Sequence, residues 1–113
     1  MTTKTEAVER LIRKANLPQD VADQVRTYAQ FQPGLVVVSP RAKKLFAQMR
    51  DSPTLLLIQH VCCLWGEVGL DEWAQNAVNL DEGTGRLTSH YELSDGSSIY
   101  VITDLESGTT TFS

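Results

Sequence analysis

The chain has 113 residues, 42% hydrophobic and 21% charged, with a formal net charge of −4. That is about one domain's worth of chain, and its apolar content excludes disorder throughout. No run approaches the roughly 18 apolar residues of a membrane span, and the start, with Lys4, Glu6, Glu9 and Arg10, has no apolar signal core.

The first helix is predicted from Val8, Leu11, Ile12 and Ala15 at helical spacing, with Thr5 as its cap and Asn16-Leu17-Pro18 as its end. Pro18 suits the first turn of a second helix. Asp20 and Asp23 favour its start through the helix dipole, and Val21, Ala22, Val25, Tyr28 and Ala29 form its apolar stripe. After the turn Gln32-Pro33-Gly34, the run Leu35 to Val38 reads as a short buried strand or an extended loop. Ser39-Pro40 supplies a cap and a first-turn proline for a third helix. That helix turns Ala42, Leu45, Phe46 and Met49 inward and Arg41, Lys43, Lys44 and Arg50 outward.

Asp51-Ser52-Pro53 repeats the start signal. Thr54 to Val68 is then apolar nearly all round, which predicts a central helix, with a central strand as the rival. Asp71 is the expected cap of a fifth helix with Trp73, Ala77 and Val78 inward. From Arg86 the period changes to two. Leu87, Ser89, Tyr91 and Leu93 share one face of a strand, and Ser94-Asp95-Gly96 is a hairpin signal. The second strand puts Ile99, Val101, Thr103 and Leu105 on one face and Tyr100 and Ile102 on the other; Thr109 to Phe112 forms a third. Helices first and strands last predict a single α+β domain over 1–113. Four or five helices form an N-terminal layer packed on a small C-terminal three-stranded antiparallel meander.

Charge is unevenly divided. Residues 1–50 hold nine of the ten Lys and Arg against four acids, a balance of +5; residues 51–113 hold only Arg86 against ten acids, a balance of −9. The basic half suggests an anionic partner, but the fit to nucleic acid is poor. A helix-turn-helix reading places Asp20 and Asp23 where phosphates would lie, and the third helix offers four bases with no interleaved aromatic. Nucleic acid is therefore not the expected partner. Complementary halves suit contact between two copies instead.

Chemical motifs are sparse. His60 and Cys63 are three apart, a spacing that on a helix could serve a metal or a nucleophile–base pair, but no further ligand cluster exists. Packing of Cys62 and Cys63 in the core explains them more simply. The pairs Asp71-Glu72 and Asp81-Glu82 read as capping and loop polarity. No Walker sequence, nucleophile elbow or dinucleotide fingerprint is present, so no cofactor or metal is implied. Two adjacent cysteines make no secreted disulfide framework, which places the chain in the cytoplasm.

The expected role is a non-catalytic interaction module, self-associating as a homodimer or binding another protein. Tyr100, Ile102, Thr110 and Phe112 of the sheet are the candidate interface, where an open strand edge invites pairing. The alternative is a small-molecule or enzymatic pocket between helices and sheet, lined by His60, Trp65, Trp73 and Tyr91.

Overall fold

The computed structural model describes residues 3–48 and 51–113. Its elements run α1 (Lys4–Ala15), α2 (Gln19–Tyr28), β1 (Leu35–Val38), α3 (Pro40–Gln48), α4 (Pro53–Val61), α5 (Leu70–Glu82), β2 (Arg86–Glu92), β3 (Ser98–Asp104) and β4 (Thr109–Phe112). The class is α+β, but the sheet is not a three-stranded antiparallel meander. It has four strands in the order β1-β4-β3-β2, and β1 lies parallel to β4. A parallel pair needs a long crossover, and α3, α4, α5 and the β2–β3 hairpin supply it. Gly34 admits β1 to this place: a Cβ there would stand 2.0 Å from the Gly108 carbonyl oxygen.

Local starts and stops follow from side chains. Thr3, not Thr5, caps α1, its hydroxyl accepting from the Glu6 N–H at 3.1 Å. Asn16 ends that helix in the left-handed region. Ser39 and Ser52 cap α3 and α4, each ahead of a proline, as their sequences predict. Gly69 rather than Asp71 precedes α5. The β2–β3 loop is Ser94-Asp95-Gly96, closed by the Leu93 N–H on the Ser97 carbonyl at 2.7 Å, with Gly96 at φ 88°. This is the three-residue hairpin in which a left-handed glycine completes the turn.

The apolar segment from Thr54 is a helix only as far as Val61; the strand alternative does not form. Leu64 N–H bonds the Gln59 carbonyl at 2.9 Å, and Cys63 N–H bonds that of His60 at 3.0 Å. That pair of bonds is a Schellman stop, and Cys63 occupies its left-handed position at φ 64°. Cys62 and Cys63 therefore follow the helix and are half-buried, not enclosed within it; Leu55 and Leu64 are exposed. His60 and Cys63 share no helical face.

One sheet face carries Leu87, Ser89 and Tyr91 of β2, Ile99, Val101 and Thr103 of β3, and Thr110 and Phe112 of β4, all buried. Against it pack Val8, Leu11 and Ile12 of α1, Ala22 and Val25 of α2, Ala42 of α3, and Leu57, Ile58 and Val61 of α4. Val21 and Tyr28, expected in the stripe of α2, are exposed. Met49 and Arg50, assigned from sequence to the two faces of the third helix, lie outside the described residues. No helix among the described residues is long and apolar enough to cross a membrane.

Candidate docking edge

The expected pocket around His60 is filled. His60 is fully buried, with Phe31 and Trp65 edge-on to its ring at 5.2 and 5.5 Å between centroids. Its two nitrogens belong to a chain of hydroxyls whose direction can be deduced. A carbonyl only accepts, so Thr110 Oγ1 donates to Pro33 O at 2.6 Å. Thr110 then accepts from Thr103 at 2.6 Å. Thr103, having donated, accepts from His60 Nε2 at 2.9 Å. The imidazole carries its proton on Nε2, and Nδ1 accepts from Ser89 Oγ at 2.5 Å. Burial pushes the His60 pKa down to about 3, so the ring is neutral. This histidine ties α4 to the sheet and to the segment before β1.

Tyr91 is also buried. Its hydroxyl donates to Leu64 O at 2.6 Å, and burial raises its pKa to about 12. Burial likewise raises both thiols, Cys63 to about 11, with Cys62 beside it adding to the shift, so neither is a ready thiolate. Trp73 does not join His60, Trp65 and Tyr91. It is 56% exposed, and Leu70, Ala77 and Val78 of the same helix are exposed too. The side of α5 that packs inward is instead centred on buried Asn76, with half-buried Leu80 against the core. Among the described residues no three His, Cys, Asp or Glu side chains are placed to hold a metal.

Asn76 shows how the fold treats the edges of its sheet. On β2, the Arg86 carbonyl and the outward-pointing backbone groups of Thr88 and His90 are engaged. Asn79 Nδ2 donates to Arg86 O at 2.9 Å. Asn76 donates to Thr88 O at 2.8 Å and accepts from Thr88 N at 2.9 Å, so one amide side chain imitates a neighbouring strand. His90 N–H bonds Trp65 O at 2.9 Å, and Glu67 N–H bonds His90 O at 2.6 Å. Gly66 permits this approach, since a Cβ there would lie 2.2 Å from the His90 carbonyl oxygen. An edge covered in this way cannot template another chain.

The β1 edge is treated oppositely. Leu35 N–H bonds Gly108 O, and Ser39 N–H bonds Phe112 O, both at 2.9 Å. Alternate residues of a strand address the same neighbour, so the N–H and C=O of Val36 and Val38 turn away from β4. Nothing among the described residues pairs with that side. The strand is Leu-Val-Val-Val, without charge or proline to blunt it, and Leu35 is 69% exposed. Beside it runs a groove of about 700 Å³. Val36, Val38 and Phe112 form its floor, Ala7, Arg10, Leu11 and Lys14 of α1 one wall, and Pro53, Thr54 and Leu57 of α4 the other.

Of the sheet residues expected at an interface, Tyr100 is exposed and Ile102 half-exposed on the face away from the helices, where His90 stacks on Tyr100 with centroids 4.4 Å apart. Thr110 and Phe112 face the other way and are 0% and 1% exposed, because they lie between β1, β3 and the helices. Sequence reading missed Val36, Val38, Arg10 and Lys14 as site residues. The signal available was a strand of four apolar residues with none of the protective residues that edges usually carry. No family model, curated protein or solved structure matches the chain.

Proposed function

We propose that this protein is a non-catalytic interaction module that works by strand addition at β1, and that its resting occupant is β1 of a second copy. The observation that carries this reading is the contrast between the edges. The fold devotes two asparagines and a glycine-admitted segment to covering β2, while the outer side of β1, the more apolar strand, has no partner among the described residues. Strand addition supplies backbone hydrogen bonds for affinity and side-chain pockets for specificity.

We place the two-fold axis near the centre of β1, the register in which every outward-facing pairing falls within the strand. With Val36 and Val38 pointing outward, two antiparallel β1 strands pair Val36 with Val38 of the other copy, and Val37 sits on the two-fold axis. One sheet then runs through both copies, and Leu35 and Val37 join the open face that carries Tyr100 and Ile102. Exposed apolar residues on that face, Leu35 and Val37 above all, become covered at the seam.

Light scattering over a concentration series tests this. The expected mass is two chains at tens of micromolar for the natural sequence. Val36→Pro removes an outward N–H that the fold does not use, at an edge where proline is tolerated. It should yield one chain with an unchanged circular dichroism spectrum. A single-chain mass for the natural protein at both low and moderate salt would overturn the homodimer.

A further inference from the structure

We infer that β1 also receives an extended, acidic segment of another protein, which displaces the second copy; this rests on the reading of β1 as a docking edge. The groove beneath the edge decides the chemistry. Its floor and walls are apolar, so the side chains that a docked strand turns inward at alternate positions meet Val36, Val38, Leu11, Leu57 and Phe112. Two cations interrupt that surface. Arg10 and Lys14 stand one helical turn apart on the wall formed by α1, and neither has a hydrogen-bond or ion-pair partner among the described residues.

The second copy does not match those cations. Around its own β1 it would bring Gln32-Pro33-Gly34 at one end and Ser39-Pro40-Arg41 at the other, with no acid in either. Self-pairing therefore fills the backbone edge and leaves two positive charges facing an apolar strand. A carboxylate on a groove-facing position of a different strand completes both requirements, and opposite charge would also speed its encounter. Neither salt bridge among the described residues uses these cations. Both bridges belong to Arg26, with Glu9 and Asp23.

The test uses the full chain and two synthetic fluorescent peptides, Thr-Val-Thr-Glu-Thr-Val-Thr and the same peptide with lysine at the centre. Fluorescence anisotropy reads binding and light scattering reads the dimer. The glutamate peptide should bind at least about tenfold more tightly than the lysine peptide, weaken as salt rises, and convert the dimer to single chains. Arg10→Glu combined with Lys14→Glu, both at exposed positions, should invert the preference. Val36→Pro should abolish binding of both. Equal affinity for the two peptides, or a preference unmoved by the charge reversal, overturns the acidic occupant while strand docking stands. Failure of both peptides to bind, together with a single-chain mass, overturns the docking edge itself.

Discussion

At the scale of single residues, His60 looks in the sequence like a chemical group and serves in the structure as a connector. The resemblance to a site came from its neighbours, Cys63 three residues on and two tryptophans nearby. What the sequence could not display was Ser89 and Thr103 converging on it from two strands, with Thr110 of a third behind Thr103, because that convergence is tertiary. The stability consequence has a definite sign. In the unfolded chain a histidine titrates near 6.5, whereas His60 in the fold is pushed down to about 3 by burial. Its stabilising effect is whole above about pH 6.5 and is lost as the pH falls from there toward 3, at about 1.4 kcal/mol per pH unit. Denaturant unfolding should therefore show the protein about 2 kcal/mol less stable at pH 5 than at pH 7 from this group. Glu9 and Asp95, whose carboxyls lie below their ordinary values through hydrogen bonds from Arg26 and Ser97, act at lower pH. His60→Leu should cost about 1–3 kcal/mol at pH 7, by leaving the Ser89 hydroxyl unpaired in the core, and should flatten the slope between pH 7 and 5.

Cys63 gives a prediction of opposite sign. The sequence placed it inside a helix because apolar residues continue to Trp65; the chain in fact turns there, at a left-handed residue that glycine would fill more easily. Cys63→Gly should raise the stability by about 0.5–1 kcal/mol in the same unfolding assay, provided little packing is lost at this half-buried position. A fall in stability would show that its thiol packing outweighs the backbone strain.

At the scale of elements, the best-read parts were those specified locally. Ser39-Pro40 and Ser52-Pro53 announce helix starts, and alternation from Arg86 to Asp104 announces a strand pair whose inward faces are those observed. Two elements were read only in part, for physical reasons. Leu35–Val38 is the expected strand but is exposed at the sheet edge, and α5 is the expected helix but turns Trp73, Ala77 and Val78 outward. Leu35–Val38 is apolar on both faces, so it carries no alternation, and its partner β4 lies at the far end of the chain. In α5 the stripe of Trp73, Ala77 and Val78 suggested a buried face, but the helix is anchored by amides, which no apolar periodicity reveals. Asn76 can be tested by chemistry as well as by deletion. Asn76→Leu leaves the Thr88 N–H and C=O without partners and should cost about 1–3 kcal/mol. Asn76→Asp can still accept from the N–H but sets a carboxylate against the Thr88 carbonyl, so it should be worse than leucine at neutral pH. Faster hydrogen exchange at the Thr88 amide would locate the loss on β2. Unchanged exchange in both variants would count against the edge-closing role.

At the scale of the whole molecule, the division of charge read from sequence persists without joining the two halves. Each ion pair involves Arg26 and acids of the first half, so the described residues show no salt bridge between the basic and acidic parts. The basic α1 borders the open edge, and the acidic α5 borders the closed one. Of Tyr100, Ile102, Thr110 and Phe112, expected at an interface, Thr110 and Phe112 are buried because β1 covers β4, and the edge proposed for docking is β1. The most direct test of strand addition at β1 fixes both edge and register in one experiment. In a background with Cys62 and Cys63 replaced by serine, Val37→Cys is compared with Leu35→Cys under mild oxidation. On the two-fold axis, paired Val37 positions stand about 4.5 Å apart between Cα atoms, within the disulfide range, whereas paired Leu35 positions are about 13 Å apart. The account predicts rapid covalent dimer from Val37→Cys and little from Leu35→Cys. Equal or negligible crosslinking from both, at concentrations of tens of micromolar, would contradict it.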